Sequence, residues 1–159
     1  VVIRSIAAPT PDSLALAFTV ADLGKALAPP DGAGPGLIVL RDAGWEKVLA
    51  IRIARGQGAA LAALAPGLDP DLLETLSPPA LGESDLSKAE YRQALGGIVG
   101  SKLLPELDAA SIDCVVALPG AIVSRRGGTV EGSGWKLSIP LLDLLVLEKP
   151  VDLEVRWKP

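Results

Sequence analysis

The 159-residue chain has no histidine, methionine or asparagine and a single cysteine, Cys114. The missing histidine removes the Ser-His-Asp triad, the Cys-His pair and most zinc sites, each of which depends on an imidazole that titrates or binds metal near neutral pH. One cysteine cannot close an internal disulfide, and with no imidazole to activate it Cys114 reads as a small buried hydrophobe rather than a nucleophile. Aromatic residues are only 3% of the sequence. A basic stripe is also lacking: 15 Lys and Arg are scattered among 19 Asp and Glu, for a net charge of −4. The densest cationic points are Arg125–Arg126 and the spaced pair Arg52 and Arg55, too little to track a phosphate backbone, so no nucleic-acid partner is expected. Uncharged runs are broken by Pro and Gly, and none reaches the roughly 18 apolar residues of a membrane-spanning helix.

What the chain does have is aliphatic bulk. Hydrophobic residues make up 49% of it, mostly Ala, Leu and Val, and the mean hydropathy is +0.40. A chain of this length buries roughly 70% of its unfolded surface, so a single domain over 1–159 needs neither metal nor disulfide to hold its core. The chain opens Val1–Val2 without a Met and reads as either a mature or a trimmed piece of a longer one, whose removed residues could have held a signal segment.

Periodicity divides the sequence into strands, a helical block, then strands. Leu14, Leu16, Phe18 and Val20 alternate with small or polar residues, as in a strand with one apolar face. Asp22 to Ala28 suggests a helical turn before a Pro/Gly-rich loop from Pro29 to Gly36. Gly36–Arg41 and Lys47–Ala54, joined through Asp42-Ala43-Gly44, read as an antiparallel hairpin. Short helices are expected over Gln57–Leu64 and from Asp69-Pro70 to Pro78. The best-defined helix spans about 87–104: Ser87 and Glu90 form a capping box, and Tyr91, Ala94, Leu95, Ile98, Val99 and Leu103 make a core-facing stripe. Gly96, Gly97, Gly100 and Ser101 give that helix a small-residue patch suited to close approach of a neighbouring element.

The last third alternates as β-structure does. Ile112, Cys114, Val116 and Leu118 form one apolar row, and Trp135, Leu137 and Ile139 another. Val151, Leu153, Val155 and Trp157 alternate with Asp152, Glu154, Arg156 and Lys158, one face apolar and the other charged. Strands on both sides of a helical block predict an α+β fold, mainly antiparallel sheet, with the 87–104 helix packed on it.

No motif nominates an active site. Gly56-Gln57-Gly58 resembles the start of a dinucleotide fingerprint, but Leu61 stands where a small residue must let helix and strand approach. Gly96-Gly97-Ile98-Val99-Gly100-Ser101-Lys102 has three residues between Gly96 and Gly100 where a phosphate loop needs four, and it continues a helix. The carboxylate groups Glu83/Asp85 and Asp69/Asp71/Glu74 lie at predicted helix starts, where negative charge favours the dipole. No enzymatic activity, cofactor or metal is therefore expected. Leu141-Leu142-Asp143-Leu144-Leu145-Val146-Leu147 is the most apolar run. It is either a buried strand or short helix plugging the sheet, or the wall of an apolar cavity or an interface. Trp135, Leu141, Leu142, Leu144, Leu145 and Leu147 are the candidate contacts for such a ligand or partner.

Leu118-Pro119-Gly120, Gly127-Gly128, Gly134-Trp135-Lys136-Leu137 and Leu153-Glu154-Val155-Arg156-Trp157 together resemble the ectodomain of LppM-type bacterial lipoproteins over about the last quarter of the chain. The resemblance implies an exported α+β domain tethered to the envelope by a lipid upstream of Val1, a non-enzymatic role, and a lipid or other apolar ligand. The alternative is a protein–protein interaction domain that uses Leu141–Leu147 as its interface.

Overall fold

A computed structural model describes residues 2–10, 13–22, 36–57, 70–82 and 84–159. Among them the chain forms four helices and nine strands in three antiparallel sheets, the α+β, mainly sheet class expected. The helical turn read from Asp22 and the helix read over Gln57–Leu64 fall largely or wholly outside the described residues.

Strands β1 (Val2–Ala7) and β2 (Ala15–Thr19) pair only with each other among the described residues. The second sheet has the order β3-β4-β9-β6, from β3 (Ile38–Ala43), β4 (Glu46–Ile53), β9 (Val151–Lys158) and β6 (Ala121–Arg126). The third has the order β5-β8-β7, from β5 (Ser111–Ala117), β8 (Gly134–Pro140) and β7 (Thr129–Glu131).

The alternating rows meet as their periodicity requires. Leu49 lies opposite Val155 on the second sheet, and Val116 lies opposite Trp135 on the third. Leu49, Val155 and Trp157 from one sheet join Trp135, Leu137 and Leu118 from the other side in one buried cluster. Burial of such side chains contributes about 1.5–3 kcal/mol each. The chain passes between the sheets at Gly127-Gly128, both at positive φ. A Cβ on Gly128 would lie 2.6 Å from the Lys136 carbonyl oxygen and 2.7 Å from Trp135 Nε1, so only glycine fits where this turn presses on β8.

The helices are α1 (Pro70–Leu76), α2 (Lys88–Val99), α3 (Leu104–Ala109) and α4 (Leu141–Val146). α2 starts at the predicted capping box: Ser87 Oγ accepts from Glu90 N–H, and Glu90 Oε2 accepts from Ser87 N–H at 2.8 Å. It stops at Val99 instead of continuing to 104. Gly100 takes φ +85° and ψ 147°, and Pro105 opens a new helix after the turn. Of the predicted stripe, Tyr91 and Leu95 are buried, whereas Ala94, Ile98 and Leu103 are exposed. The helix packs chiefly on α3 and α4, where Tyr91, Leu95, Leu142 and Val146 form a second core with Leu104 and Leu107. Gly96 allows the close approach its size suggested, since a Cβ there would meet Leu104 Cδ1 at 3.1 Å.

Candidate functional site

The leucine-rich segment forms α4 plus Leu147, a helix as short as the plugging role demands. Leu142 and Val146 face the helical core, while Leu147 sits with Leu37, Ile53 and Ala80 under the second sheet. Leu144 packs against that second group and Leu145 against the first. Trp135 has no exposed surface, and Leu142 and Leu147 are nearly as enclosed; Leu141, Leu144 and Leu145 are half-buried. The six predicted contact residues thus stand in and around the interior, joining helices to sheets.

The end of α4 is well satisfied. Ala80 N–H donates to the Leu145 carbonyl at 2.9 Å, and Arg55 Nε donates to the Val146 carbonyl at 2.8 Å. The same guanidinium donates to the Leu86 carbonyl at 2.6 Å and pairs with Asp85, so Arg55 ties the end of β4 to both helical segments. A surface cleft of about 420 Å³ beside α4 is lined by Lys88, Asp143, Val146, Glu148, Lys149, Pro150 and Val151. Its polar groups answer one another: Lys88 Nζ lies 2.6 Å from Asp143, and Lys88 N–H donates to Glu148.

Charged groups elsewhere form surface pairs. Arg92 holds Asp108 through two hydrogen bonds of 2.7 and 2.6 Å, pinning α2 to α3 and keeping that carboxyl below its ordinary range. On the outer face of the second sheet, partial burial pushes Glu154 up. The hydrogen bond from Arg156 and the charges of Arg156, Arg41 and Arg126 outweigh that burial and hold the carboxyl low. Among the described residues, no group of three or more Asp, Glu or Cys side chains converges as a metal site would, and no helix is long and apolar enough to cross a membrane.

Exposed apolar surface is densest on the β1–β2 hairpin, and β5 also carries exposed apolar residues, Ile112 on one face and Val115 on the other. In the β1–β2 hairpin, Ile3 lies opposite Phe18 and Ile6 opposite Leu16, and these four side chains are 52–64% exposed. Leu16 and Phe18, two residues apart, share one face of β2, and their cross-strand partners extend it into an apolar patch. Arg4 sits at a bulge and donates to Thr19 Oγ1 at 3.0 Å, which places it on the opposite face. The other element is β5, an edge strand that pairs only with β8 among the described residues. Its apolar row runs from Val116, packed on the core, out to Ile112 and Cys114 on open surface.

Cys114 is thus exposed rather than buried, because the row it belongs to reaches past the edge of the core. Its thiol is nevertheless partly shielded, and that burial pushes its pKa up, away from a reactive thiolate. Asp113, on the other face of β5, is held low by hydrogen bonds from Ser138 and Ser111. Sequence reading recognised the Leu14–Val20 alternation but not β1, and periodicity carries no signal for whether an apolar face is covered. No family model, curated protein or solved structure matches the chain.

Proposed function

We propose that this chain is a non-enzymatic binding domain of the cell envelope, exported and tethered upstream of Val1, that takes a lipid or another apolar ligand on exposed β surface. One observation carries the reading: the β1–β2 hairpin presents Ile3, Ile6, Leu16 and Phe18 together on one uncovered face. An isolated two-stranded hairpin is marginal in water, so one with such a face gains from an apolar contact. The pairing of the described acidic and basic groups across the surface fits solvation rather than chemistry. The envelope setting rests on the LppM-type resemblance alone.

Native mass spectrometry of the purified chain after incubation with a mixed lipid extract tests the proposal. Wild type should carry bound lipid. Phe18→Asp should reduce the bound fraction about tenfold or more, as loss of one large apolar contact of 1.5–3 kcal/mol implies. Its thermal midpoint should stay near wild type, because the hairpin's main contacts are internal. A wild-type chain that emerges without lipid would sink the reading.

The protein–protein alternative is better served by these β elements than by Leu141–Leu147, whose side chains are largely occupied in the core. The edge of β5, which has no strand partner among the described residues, favours it, since edges recruit further strands.

A further inference from the structure

Two elements of the chain each lack what the other offers. β5 is a seven-residue edge strand whose outer backbone groups have no strand partner among the described residues, and whose apolar row, Ile112, Cys114 and Val116, stops at that edge. β2 is a five-residue strand whose second edge likewise has no strand partner among the described residues, and its apolar residues Leu16 and Phe18 have the same two-residue spacing. β2 has no proline to interrupt a ladder, and the hairpin's irregularity lies on β1, at Arg4.

We infer that the β1–β2 hairpin of one copy adds, through β2, to the edge of β5 in a second copy, giving a five-stranded sheet with one continuous apolar face. The side-chain period of two fixes the consequence. Aligning Leu16 and Phe18 with Ile112 and Cys114 keeps Val116 on the same face and puts the intervening residues of both strands on the opposite one. On that opposite face Arg4 is the only charged residue of β1 and β2 and Asp113 the only one of β5, opposite in sign and separated by β2, with the exposed Val115 beside Asp113. Strand addition supplies main-chain hydrogen bonds for affinity and side-chain alternation for register.

The occupant is a second copy because one chain supplies both halves yet holds them unpaired with each other. Reciprocal exchange closes as a two-fold dimer in which each copy gives one hairpin and receives one. This pairing rests on the reading of these strands as contact surface and deepens it: edge pairing leaves the apolar face open. Residues from two copies, Ile3, Ile6, Leu16 and Phe18 from one and Ile112 and Cys114 from the other, then floor the ligand site.

Cys114 provides the test, because it lies on β5 within the row to be extended. One chain carries Leu16→Cys with Cys114→Ser, a second carries Phe18→Cys with Cys114→Ser, and each is mixed with affinity-tagged wild type under mild oxidation. A mixed disulfide between the tagged and untagged chains is expected. It should form about tenfold or more faster than for Trp45→Cys with Cys114→Ser, a more exposed and so at least as collision-accessible handle that is not held at the β5 edge. Light scattering should show wild type as a dimer. Tryptophan near-ultraviolet dichroism confirms that each variant keeps its core. Disulfide no faster than the Trp45 control, with wild type monomeric, overturns the pairing. So does a Leu16→Cys chain retaining Cys114 that closes only within itself, since this places the hairpin on its own β5. Lipid binding without crosslinking would leave the proposed function standing and this pairing refuted; crosslinking without lipid would do the reverse.

Discussion

Trp135 and Trp157 show how one residue type plays different parts within a single core. Both are buried, but Trp135 Nε1 donates to the Gly127 carbonyl at 3.2 Å, whereas Trp157 Nε1 is buried with no partner among the described residues. A buried unsatisfied donor costs about 1–3 kcal/mol, and replacing it with carbon recovers that cost. Trp135→Phe removes a bonded donor and strands a carbonyl; Trp157→Phe removes an orphan. Urea denaturation should therefore find Trp135→Phe less stable than Trp157→Phe by about 1 kcal/mol or more. Equal losses would mean that the Gly127 bond contributes nothing. The alternating rows around both residues were legible in the sequence because a period of two fixes which side chains share a face. Which indole would be satisfied was not, since that depends on a turn carbonyl arriving from another sheet.

Among elements, α4 has the greatest reach. Its six residues touch both the helical core and the core beneath the second sheet, and its last carbonyls are taken by Ala80 and Arg55. Arg55→Ala would leave the Val146 and Leu86 carbonyls without this donor and destabilise the chain by about 1–3 kcal/mol. Hydrogen exchange should show the loss first in α2 and α4, with the β4–β9 ladder still protected; uniform loss of protection would refute Arg55 as a tie between layers. The density of Leu141–Leu147 was plain in the sequence, but hydrophobicity is the same quantity in a core and on an interface. Only the two clusters flanking α4 decide which it is. The early end of α2 has a local cause: Gly96, Gly97 and Gly100 weaken the helix by about 1 kcal/mol each relative to alanine, and Pro105 restarts it. That signal was present, but the apolar spacing through Leu103 outweighed it in the sequence reading.

For the molecule as a whole, the absence of histidine shapes the response to pH. No side chain with an ordinary pKa near 6.5 is present, so stability should be nearly flat from about pH 5 to pH 8. Asp108, Asp113 and Glu154 are all held below the ordinary carboxylate range in the folded chain. A depressed carboxyl stabilises fully above its unfolded pKa, and that stability is lost as pH falls through the folded value. The thermal midpoint should accordingly begin to fall below about pH 4. Asp108→Asn should make the acid limb shallower while lowering the neutral plateau slightly; an unchanged limb would show that the Arg92 pair is idle. The candidate site was the least legible part of the molecule. Leu16 and Phe18 announce an apolar face, but a strand that packs inward and one that waits for company have the same alternation.

The position of β9 bears on when this chain can fold. It lies between β4 and β6, so Leu49 must wait for Val155 and Ile122 for Trp157, and all of these contacts close late in chain order. Until that last ribbon is in place, β4 and β6 each lack the neighbour that joins them into one sheet. A polypeptide that finishes its sheet from the middle depends on contacts between residues far apart in sequence, so its core should close slowly and cooperatively rather than strand by strand.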